Sequence, residues 1–279
     1  MTNSQPTDTR TTEELIQLAL AATDEENRSE IIRTLHRRGG QSEFDAAVQL
    51  CQSDDALHRE LGADILGQLK SDQQDFQTEA VDVLLTLLND SNEDVLYSTI
   101  IALGHRQDER SVSALCALAD HPSPEIRSAV AIALGGLVDE LALETLIRLT
   151  ADTDLDTRNW ATFGLGSLTP YDTPELREAF LLRATDENHE VRGEALVGLA
   201  RRGDHRALAL IQRELDQEDI GILVLEACEY LGDPALLPRL QELEAKWTAS
   251  WGNTPNQLFE SQLREAIAAC SGSDDEEGG

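Results

Sequence analysis

Apolar residues recur along most of the chain with the spacing of amphipathic helices. In segments 81–88, 141–149 and 207–215 they fall near i, i+3, i+4 and i+7, the spacing that places side chains on one face of a helix. No segment shows the alternation of apolar and polar residues that is typical of a half-buried strand. The pattern therefore predicts an all-α protein.

One helical segment occurs several times in similar form. The clearest copies read PEIRSAVAIALG at 124–135, DTRNWATFGLG at 156–166 and EVRGEALVGLA at 190–200, and weaker copies end at Gly67, Gly104 and Gly232. Equivalent positions are 31 to 37 residues apart, which leaves room for two short helices and two turns. The chain is therefore predicted to consist of repeated helix pairs.

Two of these copies also predict contacts at the start of the helix. An Asp precedes the Arg by six residues at Asp152 and Asp186, and an Asp before a helix can cap its first turn. The Arg of the first turn is placed to pair with an Asp of a neighbouring repeat. The Gly of the Leu-Gly ending is expected to cap the end of the helix.

These residues resemble the signature of the HEAT-repeat family, and in particular the HEAT-like repeats of the phycobilin lyases. The matching residues are Ile126-Arg127 with Leu134-Gly135, Thr157-Arg158 with Leu165-Gly166, and Val191-Arg192 with Leu199-Ala200. The resemblance covers about residues 13–270 and implies an α-solenoid, a superhelical array of about eight HEAT-like helix pairs. We expect residues 1–12 to be a disordered N-terminal segment and residues 271–279 to be an acidic disordered tail.

Charge narrows the range of partners. The chain has 53 acidic and 22 basic residues, a formal net charge of −31. Nucleic acid and anionic membrane surfaces require clustered Lys and Arg, so we expect neither as a partner. No run approaches the ~20 apolar residues of a membrane span. The four cysteines do not have the spacing of a metal site, and the N-terminus lacks the apolar core of a signal peptide. Both features favour a location in the cytoplasm.

Two enzymatic activities of the wider family find little support in these residues. Diiron hydroxylases place adjacent His-Glu pairs within the repeat helices, but His189-Glu190 lies before the helix signature and the six histidines are scattered. DNA glycosylases need a basic groove, whereas Arg28, Arg33, Arg37 and Arg38 lie among acidic residues and are expected to form salt bridges. We expect no catalytic residue, metal site or cofactor, although enzymatic function stays uncertain.

A candidate binding surface follows from the second helix of each repeat. With the residue before the Arg as position 0, positions 0, 4, 7 and 8 are apolar or small, and positions 2 and 6 point away from that stripe. Position 6 is nevertheless apolar in four consecutive repeats, which predicts a hydrophobic groove for a peptide or helix. Alternatively, the next helix covers position 6. The candidate partner-binding residues are Tyr97, Ile101, Ile132, Asn159, Trp160, Phe163 and Val197.

The segment 246–255 interrupts the last repeat and contains Trp247 and Trp251. It is either a cap packed on the C-terminal helix or an exposed recognition loop. We favour the cap, because the end repeats of an array must cover their apolar faces.

These observations predict a non-catalytic protein-binding scaffold or adaptor with a basic protein partner, attracted by the acidic surface. One version of this function is an inhibitor that masks a basic enzyme such as a nuclease. The alternative is a lyase-type or chromophore-handling enzyme subunit built on the same repeats, which a bound chromophore would reveal by its absorbance. The acidity is also compatible with salt adaptation.

Overall fold

The computed structural model describes residues 8–69, 76–250 and 257–272. Within these ranges the chain forms sixteen α-helices and no strand, which confirms the all-α prediction. The predicted disordered ends fall largely outside the described residues, at 1–7 and 273–279. The helices are α1 Thr12–Ala21, α2 Glu25–Arg38, α3 Gln41–Cys51, α4 Ala56–Gln68, α5 Gln77–Leu87, α6 Glu93–Arg106, α7 Val112–Ala117, α8 Pro124–Leu134, α9 Glu140–Leu149, α10 Leu155–Phe163, α11 Pro174–Arg183, α12 His189–Arg201, α13 Ala207–Leu215, α14 Ile222–Leu231, α15 Leu237–Ser250 and α16 Gln257–Cys270.

The described helices follow one another as eight pairs, as the repeat spacing predicts. They divide into two compact units, unit 1 at 1–142 and unit 2 at 143–279. Within unit 1 the second helices of successive pairs pack together, α4 on α6 and α6 on α8; within unit 2 α12 packs between α10 and α14, and α14 packs on α16. This stacking of equivalent helices is the packing of an α-solenoid, and it confirms the predicted fold class. A single continuous solenoid over 13–270 stays a prediction.

Side-chain caps begin many of the helices, but the capping residues differ from those predicted. The oxygen that accepts from the first turn of α10 belongs to Asp154, at 2.9 Å from the Thr157 nitrogen, and Asn188 has this role in α12. Asp152 and Asp186 instead accept the backbone N–H groups of these two capping residues. They order the turn before the helix, so the predicted caps were two residues early.

Arginines at the first helical turn connect neighbouring repeats, and the predicted Asp partner is confirmed for Arg59 and Arg158 but is a Glu for Arg192. Arg59 forms an ion pair with Asp90 at 2.6 Å, Arg158 with Asp186 at 3.3 Å and Arg192 with Glu214 at 3.0 Å. The same guanidinium groups donate to carbonyl oxygens of the preceding loop, for example from Arg158 to Asp152 and Thr153. Each Arg therefore holds its own turn and the next repeat together.

The Leu-Gly glycines are mostly sites of close helix packing, and their predicted role as caps is wrong for Gly67 and Gly104. Both lie inside α4 and α6. A Cβ atom on Gly67 would approach the Cα atom of Ala102 to 2.9 Å, and one on Gly104 would approach that of Ala133 to 2.8 Å. Only a residue without a side chain fits this backbone approach. Gly232, with φ +59°, is a C-terminal cap as predicted.

The core consists of Leu, Ile, Val and Ala on the facing sides of the helices. Cys51, Cys228 and Cys270 are buried within it, and Cys116 is partly exposed. Within the part of the chain that the structure describes, no helix has the length and apolar character needed to cross a membrane.

Candidate functional site

One side-chain contact shows which positions face each other between two stacked second helices of unit 1. In unit 1 Asp64, at position 6 of α4, is hydrogen-bonded to Ser98, at position 3 of α6. In this pair of helices position 6 of α4 therefore faces position 3 of α6. In unit 2, α10 packs on α12.

The seven predicted binding residues fall into both units and differ in exposure. In unit 1 the side chain of Tyr97 is 42% exposed, and Ile101 and Ile132 are half-buried. In unit 2 Trp160 is 41% exposed, and Asn159 and Phe163 are half-buried. Their role in binding stays a prediction.

Val197 does not belong to an accessible surface, and its inclusion was wrong. Its side chain is 0% exposed. Two glycines in α12 allow the neighbouring elements to approach closely: a Cβ atom on Gly193 would lie 2.7 Å from Leu223, and one on Gly198 would lie 2.6 Å from the Phe180 ring. Since α12 packs between α10 and α14, position 6 is covered in this repeat.

Two aromatic side chains lie together on α10. The rings of Trp160 and Phe163 meet edge to face, with centroids 5.9 Å apart and planes at 81°, a favourable arrangement for aromatic pairs. Asn159 lies next to them, and its Oδ1 atom is buried without a hydrogen-bond donor among the described residues.

On the neighbouring helix α12, Glu194 is a residue of interest that the sequence pattern did not reveal. Its Oε2 atom is buried and also lacks a donor within the described residues. Burial, together with the negative charges of Glu226 and Glu190, raises the pKa of the Glu194 carboxyl to about 7. Position 3 is Leu61, Ser98, Ala129 and Trp160 in the four earlier copies, so the carboxylate of Glu194 at this position was the signal that the sequence offered.

This raised pKa predicts a pH-dependent cost to stability. The folded chain holds a proton on Glu194 up to pH ~7, whereas the unfolded chain loses it near the ordinary pKa of 4.5. The unfolded state thus binds fewer protons in this window, and stability falls as the pH rises through it. Glu194→Gln should match the wild-type free energy of unfolding at pH ~4 and exceed it by about 1–2 kcal/mol at pH ~8, after allowance for solvent screening.

Urea unfolding at both pH values tests this expectation. Glu218→Gln is the matched control, because Glu218 is exposed in the same unit. A difference between Glu194→Gln and wild type that does not change with pH would contradict the assignment.

Unit 1 has a polar groove of about 390 Å³ between α2, α4 and α6. Arg28 pairs there with Glu60 at 2.8 Å and with Asp64 at 3.2 Å. Burial raises the pKa of Asp64 to about 6 despite the opposing charge of Arg28. Ile101 lines the groove, so one predicted binding residue is set beside charged groups that already have partners.

The remaining arginines of the N-terminal cluster are also paired, as predicted. Arg33 and Arg37 pair with Glu30 at 2.9 and 3.0 Å, and Arg38 lies 3.6 Å from Asp8. Among the described residues, no group of three His, Cys, Asp or Glu side chains has the geometry of a metal site.

Trp247 packs on the C-terminal helix. Its ring stacks on Phe259 at 4.4 Å between centroids, and its Nε1 donates to Glu260 at 3.3 Å. These contacts agree with the capping interpretation for Trp247. Trp251 lies outside the described residues.

Comparisons with known proteins agree with this repeat geometry. The family model for HEAT repeats matches residues 81–166. Protein YibA of Escherichia coli strain K12 is 32% identical over 222 residues, which cover 77% of this chain and 79% of that protein. The X-ray structure of E. coli YibA has a TM-score of 0.70 at 29% identity and 92% coverage of both chains.

A more distant match confirms the fold alone. The archaeal HEAT-like repeats protein of Thermococcus onnurineus NA1 has a TM-score of 0.55 at 17% identity, over 92% of this chain and 99% of that one. The repeat signature, the stacked helix pairs and the similarity to YibA together show that the chain belongs to the family of HEAT-repeat proteins that includes Protein YibA of Escherichia coli.

Proposed function

We propose that the protein is a non-catalytic scaffold or adaptor that binds a basic protein through the exposed faces of its second helices. The observation that carries this proposal is the aromatic pair on α10, where Trp160 is 41% exposed and meets the Phe163 ring edge to face. Exposed aromatic residues are enriched among the residues that dominate binding energy. Repeat arrays of this kind offer extended surfaces for partners.

Charge supports a basic partner. The chain carries a net charge of −31, and the neighbours that shift the pKa of Glu194 are the carboxylates of Glu190 and Glu226. A negative surface attracts a positive partner and speeds its association, most strongly at low salt. Masking of a basic enzyme is one function that such a surface could serve.

Site-specific cross-linking tests where the partner binds. A photoreactive amino acid is placed at Tyr97 in unit 1, at Trp160 in unit 2, and at Leu182 as a control. Leu182 is 65% exposed and lies on α11, a first helix. We expect one basic protein to be cross-linked at 160 or 97, more at low than at moderate salt, and not at 182. Equal cross-linking at all three positions would contradict the proposal.

Trp160→Ser should weaken binding of the captured partner at least about tenfold, because a large exposed aromatic side chain is lost from the contact. Leu182→Ser should leave the affinity unchanged. Calorimetric titration measures both affinities, and thermal unfolding monitors the fold. We expect the melting temperatures of the two variants to stay within a few degrees of wild type, since Leu182 is 65% exposed and Trp160 41% exposed. A large loss of stability in Trp160→Ser alone would show that Trp160 serves the core.

A further inference from the structure

We propose that a cleft between α12 and α14 binds a large apolar side chain of the protein partner, flanked in that partner by basic residues. This α12–α14 cleft has a volume of about 290 Å³ and lies between the first turn of α12, the end of α13 and residues 219–224 at the start of α14. The inference rests on the proposed function and specifies what unit 2 recognises in the basic partner. An apolar lining, a departure from the repeat pattern and an acidic rim lead to it.

One side of the cleft is apolar. Ile220, Ile222, Leu223 and Val224 line it, and the first three of these side chains are only half-buried. The volume lies just below the range of ~300–1,000 Å³ that is typical of pockets for whole small-molecule ligands. It suits a single large side chain, which would remove this apolar surface from water.

The apolar residues replace the polar helix start that the other repeats have. Leu223 is position 0 of this copy, eight residues before Leu231, so Ile220 stands three residues before position 0. In the five other copies that place is occupied by an N-cap residue: Asp55, Asn92, Ser123, Asp154 and Asn188. Helix α14 has Gly221 as its N-cap, without a side-chain hydrogen bond.

This substitution gives up a stabilising cap and leaves an isoleucine half-buried. Polar N-cap residues favour helix formation, whereas Ile at that position does not. A departure from the local rule that the rest of the chain follows is expected at functional sites. The departure at Ile220 coincides with the cleft, and this coincidence favours a binding role for the apolar lining.

Acidic side chains border the apolar lining. Glu190 and Asp219 line the cleft and are exposed. Arg192 also lines it, but its guanidinium group pairs with Glu214 at 3.0 Å and donates to two carbonyl oxygens of the preceding loop. The positive charge of Arg192 is therefore engaged, and the two exposed carboxylates favour Lys or Arg residues on either side of the bound apolar side chain.

The two parts of the cleft predict different responses to salt. Attraction between exposed charges weakens as the ionic strength rises, whereas burial of an apolar side chain is not a charge interaction. General attraction to an acidic protein would therefore give no preference for an apolar residue in the partner. A preference that persists when salt weakens the overall affinity distinguishes the cleft from such attraction.

The experiment titrates the full chain with three acetylated and amidated nonapeptides. The first has a central leucine among alternating lysines and glycines, the second has serine in place of leucine, and the third has glutamate in place of every lysine. Calorimetry measures the affinities at low and moderate salt. We expect the leucine peptide to bind at least about tenfold more tightly than the serine peptide at both salt concentrations, and the glutamate peptide not to bind.

Ile220→Asn tests the apolar lining. It gives this copy the residue that Asn188 provides in α12, so we expect a melting temperature within a few degrees of wild type. The preference for the leucine peptide should fall below about threefold. Leu182→Asn is the matched control, because Leu182 is 65% exposed on α11 and does not line the cleft. It should retain the preference within about twofold.

Glu190→Gln combined with Asp219→Asn tests the acidic rim. This double variant should bind both lysine peptides severalfold more weakly at low salt, because two negative charges beside the cleft are removed. Its preference for leucine over serine should remain, since the apolar lining is unchanged. Equal losses in this variant and in Ile220→Asn, for both peptides, would contradict the separate roles of lining and rim.

Equal affinities of wild type for the leucine and serine peptides, or an unchanged preference in Ile220→Asn, would overturn the cleft as a binding site. A melting temperature lowered by more than about ten degrees in Ile220→Asn would assign Ile220 to the core and have the same meaning. The cross-linking experiment separates these failures from failure of the proposed function. A partner that cross-links at position 160 or 97, without any leucine preference in the peptides, would leave the scaffold in place and remove only this inference. Leucine preference without a cross-linked protein would have the opposite meaning.

Discussion

Asp186→Ala should lower the free energy of unfolding by about 3 kcal/mol or more. The Asp186 side chain is only 6% exposed and pairs with both Arg158 and Arg183, at 3.3 and 3.2 Å. It also accepts the backbone N–H of Asn188 at 3.1 Å. Removal of its carboxylate would leave the largely buried Arg158 guanidinium with only the exposed Glu187 carboxylate, at 3.9 Å. Loss of one partner from a buried pair typically costs about 3–5 kcal/mol.

Asp82→Ala is the matched control. Asp82 pairs with Arg110 at 2.7 Å, a shorter distance, but the two side chains are 62% and 42% exposed. An exposed pair of this kind contributes at most about 1 kcal/mol. Urea unfolding followed by circular dichroism measures both variants. If Asp186→Ala costs no more than Asp82→Ala, the inter-repeat arginines are surface contacts and not the connection between repeats that we describe.

Much of this fold was predictable because repetition makes a weak pattern visible. A single segment such as 190–200 has apolar residues compatible with any buried helix, but its recurrence every 31 to 37 residues indicates helix pairs. The pairing of Arg158 with an acid of the next repeat followed from the same register. These features depend on local spacing, which the sequence shows directly.

The features that could not be predicted depend on distances between helices. Val197 and Phe163 occupy the same position of the repeat, yet Val197 is fully buried and Phe163 is not. In α12, Gly193 and Gly198 let the side chains of Leu223 and Phe180 approach the helix closely, which the spacing of apolar residues does not show. Likewise, Glu194 is one acidic residue among 53 in the sequence, and only its burial near other carboxylates on α12 and α14 distinguishes it.

The largest consequence of close packing concerns Gly104. We expect Gly104→Ser to lower the free energy of unfolding by about 2–3 kcal/mol, the upper part of the range for overpacked sites. The new Cβ atom would lie 2.8 Å from the Cα atom of Ala133 and 3.0 Å from its Cβ. Because the nearest atom belongs to the backbone, a change of rotamer cannot relieve the contact, and α6 and α8 must move apart.

Gly221→Ser is the control for the added side chain. Gly221 has open space around the added Cβ and stands at the N-cap of α14, where serine is favoured, so its stability should stay within about 0.5 kcal/mol of wild type. A second variant tests the cause. Ala133→Gly combined with Gly104→Ser removes the Cβ contact but keeps the 2.8 Å approach to Cα, and it should therefore not restore stability. Full recovery in the double variant would show that side chains, and not the backbone approach of α6 to α8, explain the glycine of the repeat signature.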